Sequence, residues 1–425
     1  MKYKKYELGN YNIHIVKTDP TKFKTVLVQI DFRRELKKEE LTVRNLLPGL
    51  LIKTTNDYKT NRELCIALED LYEMRVTSEP INSGNYSVIH FSSTFLNESF
   101  TEPKMLEKSL TLLLDMLMNP NVKDKSFEKE SFEICKSTLK SELEQAKDNA
   151  RLYSTNRMLE EMAEGESFGF NVDGYLEDLE KLTPENVYQY YLEVLEKDLI
   201  DIYVIGDVEG DKVKDIISKK LKIKTFKKPA NSHFIEHKFF RKDIKTVIEK
   251  KAYEQSNLAV GFKISEITPF ERQYVLPIYN FIFGGGPDSK LFQTIREKNS
   301  LCYTVGSNIK PVTNILVVKA GIDKKNYDKT LKLIKELFKK MNNGDFKEDD
   351  VLIAINSYKV SLKEMLDEQN SIISCYASHE YLGYDLIPDR MKNIDSVTKK
   401  DLITLGKKIK LDTVYLLEGD INENN

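Results

Sequence analysis

The chain has 425 residues, more than one ordinary hydrophobic core accommodates, which predicts two or three domains. Its 65 basic and 67 acidic residues give a net charge of −2, so neither nucleic acid nor an anionic membrane is expected as a partner. No apolar stretch approaches the roughly 18 residues that span a bilayer, and the N-terminus lacks the apolar region of a signal peptide. The four cysteines form no C-x-x-C pair, which favours reduced thiols in a cytoplasmic protein.

In the first half, alternating apolar residues predict strands, and apolar residues every three or four positions predict helices. The predicted strands are 23–33, 86–95 and 199–208, and the predicted helices are 61–74, 105–120, 127–162 and a helix that begins after Thr183. Thr183 is a suitable N-cap, and Pro184 suits the first helical position.

The second half gives a similar succession of patterns. The predicted strands are 258–264, 314–322 and 412–421, and the predicted helices are 272–284, 327–341, 348–368 and a helix that begins after Thr398. Strands in groups followed by helices in groups favour α+β domains, each with an antiparallel-rich sheet covered by helices.

Two features of the first half recur in the second half at nearly the same distance along the sequence. Gly206-Asp207 and Gly419-Asp420 each end a strand, 213 residues apart, and Thr183 and Thr398 each cap the preceding helix, 215 residues apart. This recurrence predicts two similar domains, 1–225 and 226–425, joined within the basic segment 224–234; an accidental match of common patterns is the alternative.

The segment "NSHFIEHKFF" spells H-x-x-E-H with His233, Glu236 and His237. In peptidases with this spacing two imidazoles hold zinc and the Glu activates water, which requires a helix that aims both rings at one ion. The segment has no helical stripe, and no Asp or Glu occurs between Lys298 and Ile322, where a third ligand is expected. We therefore predict a connection that carries two exposed histidines; an autonomous zinc peptidase with an unforeseen third ligand is the alternative.

The sequence resembles the pitrilysin/insulinase-type metallopeptidases over nearly its whole length. "NLLPGLLIKTTNDY" aligns with the family's zinc helix and places Asn45 and Gly49 at the two His positions and Pro48 at the Glu position. An amide, a proline ring and a bare backbone cannot hold zinc. Glu128, Glu130 and Glu133 lie where the family's third ligand helix is expected, and without a His pair they are interpreted as solvated charges.

The second half resembles the family through "FIFGGGPDSKLFQTIREKNSLCYTVGS", residues 281–307. The resemblance implies that Arg296 and Tyr303 reach toward a zinc-bound substrate carbonyl, where a cation and a phenol stabilise an oxyanion. The alternative is that Arg296 pairs with a helix carboxylate and Tyr303 fills the sheet. Gly284, Gly285 and Gly286 provide close backbone approach and positive φ, for substrate guidance or for a helix-terminating turn.

The resemblance implies a duplicated fold whose two domains face one another as a clamshell. It also implies a chain without catalytic or metal-binding residues of its own. Such a chain is expected to pair with a zinc-bearing homologous subunit, or with itself, so that zinc sits on the partner and an unfolded peptide adds to a sheet edge. The bacterial subgroup that keeps the glycine run also implies a link with 5-aminopentanol modification of elongation factor P. A purely structural role without proteolysis is the alternative.

Overall fold

A computed structural model describes residues 1–9, 11–223, 232–237 and 239–419. The predicted domain boundary at residues 225 and 226, and Asp420 of the second Gly-Asp pair, lie outside the described residues. The strands are β1 (Lys2–Glu7), β2 (Asn12–Lys17), β3 (Thr25–Glu35), β4 (Arg75–Ser83), β5 (Tyr86–Leu96), β6 (Val122–Lys123), β7 (Ser126–Phe127), β8 (Leu199–Gly206), β9 (Lys245–Lys251), β10 (Ser256–Ile264), β11 (Cys302–Lys310), β12 (Ile315–Ile322) and β13 (Ile409–Gly419).

The α-helices are α1 (Leu41–Leu51), α2 (Asn61–Glu69), α3 (Met105–Met118), α4 (Lys129–Gln145), α5 (Ala150–Ala163), α6 (Leu176–Leu179), α7 (Pro184–Lys197), α8 (Gly210–Lys220), α9 (Leu276–Phe283), α10 (Tyr327–Asn342), α11 (Glu348–Glu364), α12 (Gln369–Leu382), α13 (Ile387–Asn393) and α14 (Lys399–Gly406). Two further segments, Glu271–Val275 and Phe292–Lys298, are π-helical. None of the helices in the described part of the chain is long and apolar enough to cross a membrane.

The described residues form two compact units. The first comprises Met1–Glu144 and Asn171–Ser232, and the second comprises Gln145–Phe170 and His233–Asn425. The first unit contains a six-stranded sheet in the order β1-β2-β8-β3-β5-β4, in which β2 and β8 are parallel and the other neighbours antiparallel. Buried apolar side chains of β3 and β8 pack with those of α1 and α3 to form its core.

The second unit repeats this topology. Its five-stranded sheet has the order β9-β13-β10-β12-β11, which matches β2-β8-β3-β5-β4 strand for strand. Here too the first pair, β9 and β13, is parallel, while the remaining pairs are antiparallel. The predicted duplicated α+β fold is therefore confirmed.

The helices before the two last strands start alike. The side chain of Thr183 accepts a hydrogen bond from the backbone N–H of Asn186, and that of Thr398 accepts one from the backbone N–H of Asp401. In return, the side-chain oxygens of Asn186 and Asp401 accept from the backbone N–H groups of the two threonines. These capping boxes satisfy N–H groups that a helix start otherwise leaves without acceptors. The shared signals that predicted the duplication thus have the same structural role in both units.

One segment lies in a different unit from the one its position in the sequence suggests. The sequence places 145–170 within the first predicted domain, whereas the described residues of this segment pack in the second unit. Met158 and Met162 of α5 join a buried cluster with Ala259, Tyr415 and Leu417 of the second sheet. A Cβ at Gly261 would lie 2.6 Å from both methionine sulfur atoms, so the absence of a side chain there lets the helix approach the sheet.

Candidate functional site

Helix α1 carries the residues that align with the family's zinc ligands. Asn45 is half-buried, and its Nδ2 donates a hydrogen bond to the carbonyl oxygen of Asp173 at 2.9 Å. Pro48 lies inside the helix and is buried. The amide of Asn45 is used for a backbone contact, and the ring of Pro48 has no hydrogen-bond donor. Neither side chain offers a lone pair suited to zinc.

Gly49 faces the helix that was expected to supply the third ligand. A Cβ built on Gly49 would lie 3.9 Å from Sγ of Cys135 on α4. Glu130 and Glu133 are exposed, as predicted for solvated charges. Glu128 instead caps α4, because its carboxylate accepts hydrogen bonds from the backbone N–H groups of Glu130 (2.8 Å) and Ser131 (2.7 Å).

Sequence reasoning missed Cys135, although its signal was present. Phe132, Cys135, Leu139 and Leu143 follow the helical period along one face of α4. Burial raises the pKa of the Cys135 thiol, while the positive charge of Lys53 acts in the opposite direction. The neutral thiol is therefore favoured next to Gly49, and a nearby cation disfavours a divalent ion.

The scaffold of α1 remains strongly anchored. Arg44 has a relative exposure of 1% and donates to Oδ2 of Asp198 (3.0 Å), Oγ of Ser87 (2.9 Å) and the carbonyl oxygen of Phe32 (2.9 Å). Arg34 also donates to Asp198. Burial alone would lower the pKa of Arg34 and Arg44, but the Asp198 carboxylate raises both, so the guanidinium groups stay charged. These contacts anchor α1 to the sheet and to Asp198.

A cavity of about 790 Å³ opens between the end of α1, the start of α2 and the start of α4. Its charged lining residues are Lys53, Lys59, Lys123, Lys129, Glu128 and Glu130. Asn56, Asn61 and Asn121 add amide groups, and Thr60 and Ser126 add hydroxyl groups. Beside the altered zinc positions, the first unit therefore presents a cleft whose lysines outnumber its carboxylates.

The H-x-x-E-H segment does not form a metal-binding helix. Described residues 232–237 contain no helical turn. Nδ1 of His237 lies 3.3 Å from Oε2 of Glu166, and its Nε2 lies 3.2 Å from the carbonyl oxygen of Asn314, so both ring nitrogens are engaged. Glu236 pairs with Arg272 at 3.2 Å. No cluster of three or more His, Cys, Asp or Glu side chains suited to a metal occurs among residues 1–9, 11–223, 232–237 and 239–419.

The prediction that these histidines are exposed is wrong. His233 has a relative exposure of 4%, and its ring centroid lies 5.2 Å from that of Tyr381. The side chain of His237 is 0% exposed and meets Phe168 edge-on at 5.3 Å. Both imidazoles pack inside the second unit. Their packing partners come from segments far away in the sequence, so the local sequence does not reveal the burial.

The glycine run ends α9 and is attached to β11. Its described φ angles are not positive, contrary to the prediction, so the run depends on close approach instead. The backbone N–H of Ser307 donates to the carbonyl oxygen of Gly284 at 2.7 Å, and a Cβ on Gly284 would lie 2.4 Å from Oγ of Ser307. Gly285 is also tight, with Cα of Phe281 2.9 Å from its virtual Cβ, whereas Gly286 has open space.

Tyr303 is an extra residue in β11. Cys302 pairs with Ile322 and Thr304 pairs with Gly321, so Tyr303 lies in a β-bulge on the edge strand of the second sheet. Bulges redirect side chains and are common next to functional sites. Tyr303 is 67% exposed and does not fill the sheet, so the structural alternative does not hold for this residue.

Arg296 lies in the π-helical segment Phe292–Lys298, just before β11. Its guanidinium lies 4.8 Å from the ring centroid of Phe292 and 3.8 Å from the Glu297 carboxylate, with the side chain 45% exposed. Burial raises the pKa of the Cys302 thiol to about 11, and the charge of Arg296 acts in the opposite direction. Arg296 therefore lies near the start of β11. It also lies in a π-helical turn, and such turns are frequent at functional sites.

Comparisons with known proteins agree on one family. Residues 181–358 match the family described as "Peptidase M16 inactive domain". Over 423 residues the chain is 33% identical to the "Probable inactive metalloprotease YmfF" of Bacillus subtilis (strain 168), covering 97% of this chain and 96% of that protein.

Two crystal structures have the same fold. A conserved protein from Enterococcus faecalis V583 superposes with a TM-score of 0.92 at 24% identity, covering 99% of this chain and 100% of that one. A peptidase M16 inactive domain from Pseudomonas fluorescens superposes with a TM-score of 0.80 at 15% identity, covering 100% and 99%. At these identities the structural likeness concerns the fold alone.

Proposed function

The chain belongs to the peptidase M16, or insulinase-type, family as an inactive metalloprotease homologue, and we propose that it is the zinc-less subunit of a two-chain peptidase. In this proposal a zinc-bearing homologue supplies the metal and the general base. The present chain supplies Arg296, Tyr303 and the loop of Gly284, Gly285 and Gly286.

One contrast supports this proposal above all others. On α1 the resemblance places Asn45 and Gly49 at the family's two zinc-binding His positions and Pro48 at its general-base Glu position, and none of the three side chains can perform these roles. In the second unit Tyr303 is held outward by a bulge, with no packing role that explains its position. A chain that keeps an exposed phenol and an exposed guanidinium without a metal site of its own fits the role of an accessory subunit.

The expected ligand is an unfolded peptide. β11 is an edge strand, so its outer backbone groups are available to pair with an added extended segment. Tyr303 lies on this edge and Arg296 immediately precedes it, so both groups are close to the backbone of a peptide bound there. A phenol and a guanidinium suit a carbonyl oxygen that gains negative charge during cleavage.

The proposal is tested by reconstitution. The chain is purified with a zinc-bearing M16 homologue from the same organism, and cleavage of an unfolded peptide is measured for each protein alone and for the mixture. We expect a stable complex, a rate above that of the homologue alone, and a loss of at least about tenfold with Arg296→Ala or Tyr303→Phe in the mixture.

Lys335→Ala is the matched control, because Lys335 is an exposed cation on α10 far from β11 in the sequence. It should leave the rate unchanged. A stable complex in which Arg296→Ala has no effect would favour the structural alternative, and no complex at all would contradict the proposed pairing.

A further inference from the structure

The cavity beside α1 has an electrostatic character opposite to that of a zinc site. Zinc sites gather neutral imidazoles and anionic carboxylates around a cation. Here the side chains that align with the ligands are uncharged, and four lysines line the neighbouring cavity against two glutamates. The formal charge of these lining groups is therefore +2, which attracts anions rather than a divalent cation.

The lysines of this cavity are not neutralised by the protein around them. Lys53, Lys123 and Lys129 have no ion pair with a carboxylate in the described part of the chain. Lys59 donates instead to the amide oxygen of Asn56 at 2.5 Å. Lys59, Lys123 and Lys129 are exposed and Lys53 is half-buried, so solvent reaches their ammonium groups. The convergence of four such cations on one concave surface nevertheless favours an anionic ligand.

The two glutamates offset only two of the four lysine charges. Both oxygens of Glu128 accept backbone hydrogen bonds at the start of α4, so its charge is used to cap the helix. Glu130 is exposed and has no ion pair with these lysines among the described residues. The amide group of Asn61 adds a hydrogen-bond donor to the lining. Nδ2 of Asn121 donates to the carbonyl oxygen of Lys59, and Oγ of Ser126 donates to Oε1 of Glu185, so these two groups are already used within the protein.

We propose that this cavity binds a compact multivalent anion, either a phosphate-bearing small molecule or the acidic end of a peptide. Both ligands present two or more negatively charged oxygens, which is the chemistry that four lysines and several amide donors recognise. The cavity volume of about 790 Å³ accommodates such a group with part of its carrier. This site belongs to the first unit and does not depend on the proposed partner.

Pyrophosphate is titrated into the isolated full-length chain at low salt, with heat as the readout. We expect one saturable site per chain, at least about tenfold weaker binding in Lys53→Gln/Lys129→Gln, and unchanged binding in Lys335→Gln/Lys339→Gln, which removes two exposed lysines of α10. Glu130→Gln removes a negative charge from the lining and should tighten binding several-fold. A gain of affinity cannot result from misfolding.

A peptide of six glutamates is the second probe. Competition with pyrophosphate identifies the acidic end of a peptide as the ligand, and no competition identifies a phosphate-bearing molecule. The proposal is overturned if neither probe saturates, if the α10 control loses as much affinity as the cavity variant, or if Glu130→Gln binds no tighter. Because the chain is measured alone, this result is independent of the reconstitution with the zinc-bearing homologue.

Discussion

The α1 region of the first unit is firmly packed but carries no reactive side chains, whereas the β11 region of the second unit carries reactive side chains that are hardly packed. At α1 the buried Arg44 network holds the helix firmly, while Asn45, Pro48 and Gly49 have no catalytic capacity. At β11 the side chains of Arg296 and Tyr303 are exposed and contribute little to the core. The packing that holds α1 in place therefore does not depend on metal-binding side chains on this helix.

The largest expected effect concerns the scaffold of α1. The Asp198 side chain is 0% exposed and accepts from both Arg34 and Arg44. Asp198→Ala leaves the buried guanidinium of Arg44 without a carboxylate and leaves Arg34 with Glu40 alone. We expect the free energy of unfolding to fall by about 3–5 kcal/mol. Urea denaturation measures this loss.

Asp211→Ala is the control, because the Asp211 side chain is 72% exposed in its ion pair with Lys4. Exposed pairs of this kind contribute little to stability, so Asp211→Ala should be nearly neutral. An equal effect of the two substitutions would show that the buried network does not anchor α1.

The next effect separates two glycines of one loop. In Gly284→Ala the new methyl group would lie 2.4 Å from Oγ and 2.8 Å from the backbone nitrogen of Ser307, so β11 must shift. We expect a loss of about 1–3 kcal/mol in the free energy of unfolding. Gly286→Ala meets no atom within 4 Å and should be nearly neutral. Equal stability of the two variants would mean that the loop is not attached to β11 as described.

A smaller effect depends on pH. Nδ1 of His90 lies 2.7 Å from Oδ1 of Asp31. Burial alone would lower the pKa of His90, but the hydrogen bond with Asp31 and its charge raise the pKa above 6.5. Because the folded-state pKa is raised, this contribution is complete below the unfolded-state pKa and is lost as pH rises through the folded-state pKa.

His90→Gln should therefore reduce the free energy of unfolding at pH 5.5, by less than about 2 kcal/mol, and much less at pH 8.5. Urea denaturation at both pH values measures the difference. A loss that is larger at pH 8.5 would show that the protonated imidazole does not stabilise the first unit.

The smallest effect on stability is expected where the effect on function is largest. Arg296→Ala and Tyr303→Phe should change the free energy of unfolding by no more than about 0.5 kcal/mol, because both side chains are largely exposed. Thermal unfolding of the purified variants checks this. A large loss of stability would give both residues a structural role and weaken their assignment to substrate.

Much of the fold could be predicted because its signals are local. The capping threonines Thr183 and Thr398 and the strands that end at Gly206 and Gly419 indicated the duplication, and the matching strand orders confirm it. The position of α5 could not be predicted in this way. Its packing depends on a space above Gly261, about 100 residues later in the chain, which periodicity does not reveal.

The candidate site was predicted less completely, for the same reason. Asn45, Pro48 and Gly49 were assigned by resemblance. The helical period placed Cys135 on the apolar face of α4, but its position next to Gly49 depends on how α1 and α4 pack together. The burial of His233 and His237 depends on Tyr381, Phe168 and other partners far away in the sequence. The bulge at Tyr303 and the π-helical turn at Arg296 arise from strand register and helix winding, which apolar patterns do not specify.

We propose that the catalytic zinc is bound by the homologous subunit and not by this chain. The most direct measurement is zinc content and peptide cleavage of the purified, untagged chain, alone and mixed with its zinc-bearing homologue, with and without a chelator. We expect no stoichiometric zinc and no cleavage by the chain alone, with chelator-sensitive cleavage only when the homologue keeps its H-x-x-E-H glutamate. Chelator-sensitive cleavage by the chain alone, with zinc that is lost in His233→Ala, would contradict it.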